Sequence, residues 1–556
     1  VACAAGGLAL VLRLLFATAT PDLSWPGSVW FAGDAATFVD NARVLAAGGA
    51  PDLGLPLRPP GTTALVRGLL TLGLESVVSI KLFWVALGAF GVAVATWAAQ
   101  RSLGAARGAW AGLLLAGSSG LMMVSTSISA EAPYLLVVLG LVALWVEQER
   151  RSEPLSRWVA VSAGVLHGLA LLIRADHLVF LVLHVGWMGW RRRGWVWTAL
   201  VAALMVIAPW HIAAWSRVAQ FNRVAAQSPG PAVREVERLL SAFPWTPQAA
   251  AKLEQLPAFA RRESRAFVAA TVAWRGGQMV DVGDLEVLDQ AFGGPPVALP
   301  ERFLVALYGP LNLALANRPG GPGGWDRSLL EQPPPLVGGT DRYPPVLVLG
   351  LPPPELTLAY PPHTHLIRDG AARAGEAWVA APLPMLALVG RKAVGFWSGT
   401  SLGVSGWNLP LGERGVRLPV DILVPELSWG VGLWRVAILV LLLWGIGRAW
   451  RQPAMWPWLA LLVGRLVPAL AVFGYARFGA TAVPAVVVLI LALTGRSSTV
   501  RGWPVVAAGV LLLALETGRW FDPPQLVLDG VPISANAEEP RVAARSRHLD
   551  VAPGGK

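Results

Sequence analysis

The sequence predicts an all-α polytopic membrane protein carrying one large insertion outside the bilayer. Three observations predict it. The 556 residues are 54% hydrophobic and only 14% charged, with a mean hydropathy of +0.54, where a soluble domain carries roughly 25% charged residues. Apolar runs of spanning length recur along the chain. Trp outnumbers Tyr 27 to 5, which suits a protein with wide membrane–water interfaces, where Trp concentrates.

About 11 transmembrane helices are expected, near 2–19, 79–99, 108–124, 131–147, 158–173, 175–190, 196–214, 431–449, 455–474, 478–495 and 502–517. Each needs about 20 residues to cross, fewer where the bilayer thins. Arginine clusters set the orientation: Arg101 with Arg107; Arg150, Arg151 and Arg157; Arg191, Arg192 and Arg193; Arg448 with Arg451; Arg496 with Arg501. With all of these cytoplasmic the loops alternate, the N-terminus lies inside and the C-terminus outside. The net charge of +11 is then a matter of topology. Nucleic-acid binding would need a basic face with stacking aromatics outside the bilayer, and the sequence has none.

Residues 1–214 read as an N-terminal transmembrane module with an outer segment at 20–78. Residues 215–430 read as an extracytoplasmic insertion of helix and loop, 431–517 as C-terminal membrane helices and 518–556 as a polar tail. Within the outer segment, 61–74 is a helix of roughly three to four turns, short for a span and expected to lie on the outer surface. In the insertion, 232–276 has helical periodicity with Arg and Glu on its polar face. The stretch 318–365, with Gly320-Gly321-Pro322-Gly323-Gly324 and Pro333-Pro334-Pro335, reads as loop. An amphipathic helix from Glu376 to Ser398 then returns to the membrane, with Lys392 and Trp397 at the interface. Cys3 is the sole cysteine, so there is no intrachain disulfide and no cysteine metal site. The chain opens on Val1 rather than Met, and its start is expected upstream.

Chemistry-bearing residues gather at helix ends. Asp34, in Gly33-Asp34-Ala35-Ala36, follows the first apolar run, where water reaches an acid cheaply. It is either the N-cap of a helix over 35–47 or a base. Asp40, Asn41 and Arg43 follow it, and Arg58 precedes Pro59-Pro60-Gly61. Glu131, in Ser127-Ile128-Ser129-Ala130-Glu131-Ala132-Pro133, is either a first-turn acid favoured by the helix dipole or a second acid facing Asp34. Arg174, Asp176 and His177 lie between two short apolar helices. They form either a structural ion pair or a phosphate site, since ionisable groups at membrane depth are costly and guanidinium binds phosphate bidentately. Ala208-Pro209-Trp210-His211 ends a span and reads as an interfacial anchor. Arg477, in Tyr475-Ala476-Arg477-Phe478, stands away from the cytoplasmic clusters, suiting a phosphate or a lipid headgroup. His363 and His365 are weak evidence for a metal. No Gly-rich loop follows a strand, so nucleotide-sugar binding on a Rossmann fold is unsupported.

The order of these motifs resembles the GT-C superfamily of polyprenyl-phosphate-sugar glycosyltransferases, within it the protein mannosyltransferase and aminoarabinose transferase group. The similar parts are Gly33-Asp34-Ala35-Ala36 with Pro59-Pro60-Gly61, the 127–133 motif, Gly168 to Arg174, and Ala208-Pro209-Trp210. The segment 309–319, with Asn312 and Asn317, looks like a family loop motif, and Arg477-Phe478 followed by Pro484 like its late Arg-aromatic motif. Together they cover roughly residues 1–495, with gaps in the insertion. The chain departs from the pattern at Ala35, where many relatives have Glu, and at Glu131, where many have Asp.

The resemblance implies an enzyme at the outer face of the cytoplasmic (inner) membrane. It would move a hexose or pentose from a polyprenyl phosphate to a hydroxyl or amine of a protein, lipid or glycan acceptor, with inversion. It implies Asp34 and Glu131 as catalytic, Arg174, Arg477 and Arg58 at the donor phosphate, and Asn312 and Asn317 in the acceptor or loop motif. It leaves a divalent metal open, with no other cofactor expected. Two other classes compete. A lipid or glycan transporter or flippase would place its ionisable groups near the midplane of two related halves. A membrane scaffold would tolerate loss of Asp34 and Glu131.

Overall fold

The computed structural model describes residues 1–19, 34–48, 56–151, 156–191, 195–225, 244–255, 279–285, 305–321, 361–404 and 429–494, isolated positions between 265 and 323, and two short strands near 530. Most of the expected helical stretch at 232–276, of which 244–255 is described and holds a helix at Pro247–Leu253, most of the 318–365 loop, the span at 502–517 and most of the polar tail lie outside these residues.

Helices dominate. In chain order they are α1 (Ala2–Ala19), α2 (Asp34–Ala46), α3 (Gly61–Thr71), α4 (Val77–Leu103), α5 (Ala105–Ala116), α6 (Ser119–Thr126), α7 (Glu131–Arg150), α8 (Arg157–Ile173), α9 (Leu178–Arg191), α10 (Val196–Ala225), α11 (Pro247–Leu253), α12 (Tyr308–Ala316), α13 (Pro361–Ala380), α14 (Pro382–Gly403), α15 (Trp429–Ala449), α16 (Trp456–Ala471), α17 (Ala476–Ala480) and α18 (Val483–Leu491). The strands Val527–Leu528 and Val531–Pro532 pair antiparallel.

Among the described residues four helices are long and apolar enough to cross a membrane: Val77–Leu103, Glu131–Arg150, Val196–Gln220 and Pro453–Ala471. Two bent pairs raise this to six if each pair is one span. Both bends have a local cause. The run expected at 108–124 divides into α5 and α6 at 55°, because Gly117 ends α5 and the Ser118 side chain caps α6 by accepting from the Leu121 amide at 3.3 Å. The single helix expected from Glu376 to Ser398 is instead the end of α13 and most of α14, turned by 114°. Pro382 lacks the amide that would continue the helix and disfavours helical geometry at Ala381. By contrast α10 runs straight through Pro209, so Trp210 and His211 do not end a helix as expected.

The chain divides into two compact units. The first comprises Val1–Pro51, Pro59–Pro209 and Val389–Lys556; the second Asp52–Arg58 and Trp210–Leu388. In the first, α1 to α9 and α14 to α18 pack through small residues, which lets backbones approach closely in an apolar bundle. Lys392, expected at the interface, is buried in α14. Its turn of helix lies against Gly474, where a Cβ would fall 2.2 Å from the Lys392 carbonyl oxygen, and its Nζ donates to the Ala471 carbonyl. Arg13 is buried within α1, donating through Nε to Ser125 Oγ at 2.9 Å and through Nη1 to the carbonyls of Ala9 and Ala116.

The second unit is built around α12 and α13. A Cβ at Gly370 would lie 2.1 Å from the Pro310 carbonyl oxygen, so the two helices touch along their backbones. Leu307 and Tyr308 donate their amides to the carbonyls of Pro56 and Leu57, Trp210 Nε1 donates to the Val305 carbonyl, and Thr246 caps α11.

Candidate functional site

The site forms in the first unit, where three elements end together. The short α2 buries Ala35, Val39 and Ala42 in a cluster with Val66 and Leu69 of α3, Ile80 and Trp84 of α4, Ile128, Ala132 and Ala480. This places Asp34 at the first residue of α2 on the rim of that core. Pro60 starts α3, and Gly61 lets it lie against the end of α8: a Cβ there would meet the Leu172 carbonyl oxygen at 2.9 Å. Trp84 donates to the Ser129 carbonyl at 2.8 Å and fixes the turn before Glu131.

On the other side, α17 is held against α14 by glycines. A Cβ at Gly399 would fall 1.7 Å from the Ala476 carbonyl oxygen, one at Gly479 1.9 Å from that of Phe396, and one at Gly395 2.1 Å from that of Gly474. Only glycine permits such contact, and it carries Arg477 to Asp34, 443 residues away in sequence.

Six charged side chains meet here. Arg477 Nη1 donates to Asp34 Oδ2 at 2.9 Å, and its Nε lies 3.6 Å from Glu131 Oε1. Arg174 donates to Glu131 Oε1 and grips Asp176 with two bonds, Nε to Oδ1 at 3.0 Å and Nη2 to Oδ2 at 2.9 Å. Arg465, from the middle of α16, donates Nη1 to Asp176 Oδ2 at 3.2 Å and Nε to Thr481 Oγ1 at 2.9 Å. The Phe478 ring lies among the three guanidiniums, with Arg174 at 4.4 Å, Arg465 at 5.4 Å and Arg477 at 5.6 Å from its centroid. Such cation–π contacts favour charge in a partly dry site.

Three carboxylates face three guanidiniums, so the cluster has no formal net charge. Its exposure is graded. Asp34 keeps 40% of its side-chain surface and Arg477 and Asp176 20% each, whereas Arg174 keeps 12%, Glu131 3% and Arg465 1%. Asp34–Arg477 is therefore the most accessible pair, standing on a frame of which Glu131 and Arg465 are buried and Asp176 is half-buried. Burial opposes the charge on Arg174, yet Asp176 and Glu131 outweigh it and hold its pKa above the ordinary range. Burial also opposes the charge on Asp176, and Arg174 with Arg465 outweighs it, keeping that carboxyl below the usual carboxylate range.

Of the residues singled out in the sequence, Asp34, Glu131, Arg174, Asp176 and Arg477 come together. Arg58, Asn312 and Asn317 belong to the second unit. There Arg58 lies 5.3 Å from the Tyr308 ring centroid, and Asn317 Nδ2 donates to the Leu313 carbonyl at 3.0 Å. The sequence reading passed over Arg465, whose signal was an arginine inside an apolar run, and Phe478 as a platform. A divalent metal does not fit these carboxylates: each is already held by a guanidinium, and among the described residues no group of three or more His, Cys, Asp or Glu converges as metal ligands. The side chains of His363 and His365 lie outside the described residues.

No protein-family model matches the chain, and no curated protein matches it. Among solved structures it is similar to ArnT from Cupriavidus metallidurans bound to undecaprenyl phosphate, at 15% identity and a TM-score of 0.30 over 86% of this chain and 77% of that one. It is also similar to the Archaeoglobus fulgidus oligosaccharyltransferase tethered with an acceptor peptide, at 12% identity and a TM-score of 0.37 over 98% of this chain and 57% of that one. A third likeness is to AglB from Archaeoglobus fulgidus in complex with an inhibitory peptide and a dolichol-phosphate, at 11% identity and a TM-score of 0.35 over 92% and 55%. The chain thus spans little more than half the length of these oligosaccharyltransferases.

Proposed function

We propose that this chain is a membrane glycosyltransferase of the GT-C type. It would move a sugar from a polyprenyl phosphate to an acceptor hydroxyl or amine at the outer face of the cytoplasmic membrane. The observation that carries the reading is the accessible Asp34–Arg477 pair on its largely buried frame, at the ends of apolar helices and on residues whose order resembles that family.

The neutral cluster suggests how donor and base are coupled. A phosphate arriving at Arg477 competes with Asp34 for Nη1. Once the phosphate has it, Asp34 Oδ2 is left to take a proton. The acceptor oxygen loses its proton to Asp34 and bonds to the anomeric carbon. The bond from that carbon to the phosphate oxygen breaks, and the phosphate keeps the electron pair. Attack opposite the leaving group inverts the sugar. General-base help of this kind contributes about 10²–10⁴-fold, and a fixed cation at the departing anion on the order of 3 kcal/mol. Glu131, itself held by Arg174, attracts Arg477 from behind. The sugar is a hexose or a pentose, and the acceptor a protein, lipid or glycan.

A lipid or glycan transporter is the second reading, favoured by the ionisable residues buried along the apolar helices, Arg13, His167, His184 and Arg465. One assay separates the two. Membranes holding Asp34→Asn at normal expression are supplied with radiolabelled polyprenyl-phosphate sugar, and label is followed into acceptor. Transfer should vanish; full transfer by the variant sinks the enzyme assignment.

A further inference from the structure

Three histidines lie buried in the first unit behind the charge cluster, and the reaction proposed above uses none of them. The Tyr134 hydroxyl lies 3.1 Å from His177 Nδ1. His177 Nε2 lies 2.8 Å from His167 Nδ1, and His167 Nε2 lies 2.9 Å from His184 Nδ1. All three imidazoles are fully shielded from solvent. Every link joins the δ nitrogen of one ring to the ε nitrogen of the one before it, so the chain has a direction. With all rings carrying the proton on Nε2, each donates away from Tyr134; with all on Nδ1, each donates toward it. A proton passing along the chain converts the first arrangement into the second, and ring reorientation resets it. No ring needs to stay charged.

The near end meets the cluster. Tyr134 sits under Arg465, 4.9 Å from its ring centroid, and Arg174, 5.8 Å away, and His177 follows Asp176 in sequence. The far end is His184, about 9 Å further along α9 than Leu178 at 1.5 Å per residue. Its Nε2 is buried and has no hydrogen-bond partner among the described residues. Its ring stacks on Trp145 at 4.4 Å and lies 5.7 Å from Trp187, whose indole donates to Glu149. Glu149 lies about 27 Å along α7 from Glu131, toward the opposite end of the helix. The charged and titratable groups around this line are Tyr134 and Glu149 on α7, Arg174 and Asp176 before α9, and Arg465 on α16.

We infer that Tyr134, His177, His167 and His184 form a proton-transfer chain from the charge cluster into the bundle, with Glu149 the carboxylate beyond its far end. In each passage Tyr134 gives its hydroxyl proton to His177 Nδ1 and regains one from solvent at the exposed side of the cluster. His177 and His167 hand on their Nε2 protons in turn, and His184 releases its own from Nε2 toward Glu149. The inference stands apart from the identity of the reaction. A buried histidine that served packing alone would need only a hydrogen-bonding side chain of similar size.

That difference sets the test. The full chain is reconstituted in liposomes loaded with the pH dye pyranine, and proton entry is driven by a valinomycin potassium potential. Wild-type vesicles should acidify faster than protein-free ones. His167→Gln keeps a donor and an acceptor but cannot relay a proton, and this excess should be lost while the thermal melt in detergent is retained. If His167→Gln does not fold, His184→Gln, at the chain's end, is read in its place. Wild-type vesicles no faster than protein-free ones, or excess entry retained by the folded variant, would overturn the chain.

Discussion

Asp34 and Arg477 share one hydrogen bond at 2.9 Å, and the residues behind them differ from this pair in what their loss should do. Arg465 is almost wholly buried and holds both Asp176 and Thr481. Arg465→Met takes one of two guanidiniums from the half-buried Asp176 and leaves Thr481 without its donor, and should cost about 1–3 kcal/mol of stability, read as a lower thermal midpoint in detergent. Asp176 gives a pH signature. Its folded pKa is depressed, so its stabilisation is complete above about pH 4 and is lost as pH falls through the folded value. Asp176→Asn should flatten the acid limb of the stability–pH profile; an unchanged limb would mean the carboxylate contributes nothing there. Five of the six clustered residues were legible as acids and arginines at the ends of apolar runs. Arg465 was not, because it sits at mid-run, where the charge pattern of loops says nothing. Of the three histidines only His177 was legible, beside Arg174 and Asp176; His167 and His184 lie inside apolar runs, and the chain of rings joins α8 to α9 across a packed interface.

Elements place these residues through glycine. The approach of α14 to α17 leaves no room for a Cβ at Gly399, whereas one at Gly390 in the same helix would meet nothing within 4 Å. Gly399→Val should displace α17, part Arg477 from Asp34, and lower both transfer and melting temperature. Gly390→Ala should be neutral or stabilise by about 0.5–1 kcal/mol, the helix propensity gain alone. Equal effects from the two would contradict the role given to backbone contact. Periodicity located α3, α4 and α7 closely, because an apolar run and a start signal agree there. It missed the break at Pro382, where hydropathy stays high while the backbone turns, and the continuation through Pro209, where an apolar helix tolerates the missing bond.

At the scale of the whole molecule, the apolar helical bundle of the first unit carries a charge cluster with no formal net charge. Neutrality makes the central claim a matter of competition: a donor phosphate and Asp34 want the same guanidinium. The direct measurement is the affinity of purified Asp34→Asn for a polyprenyl monophosphate, beside wild type and Arg477→Gln. Removing the Asp34 charge removes a competitor for Arg477, so Asp34→Asn should bind at least as tightly as wild type, and Arg477→Gln should bind more weakly. Weaker binding by Asp34→Asn, or undiminished binding by Arg477→Gln, would contradict the account.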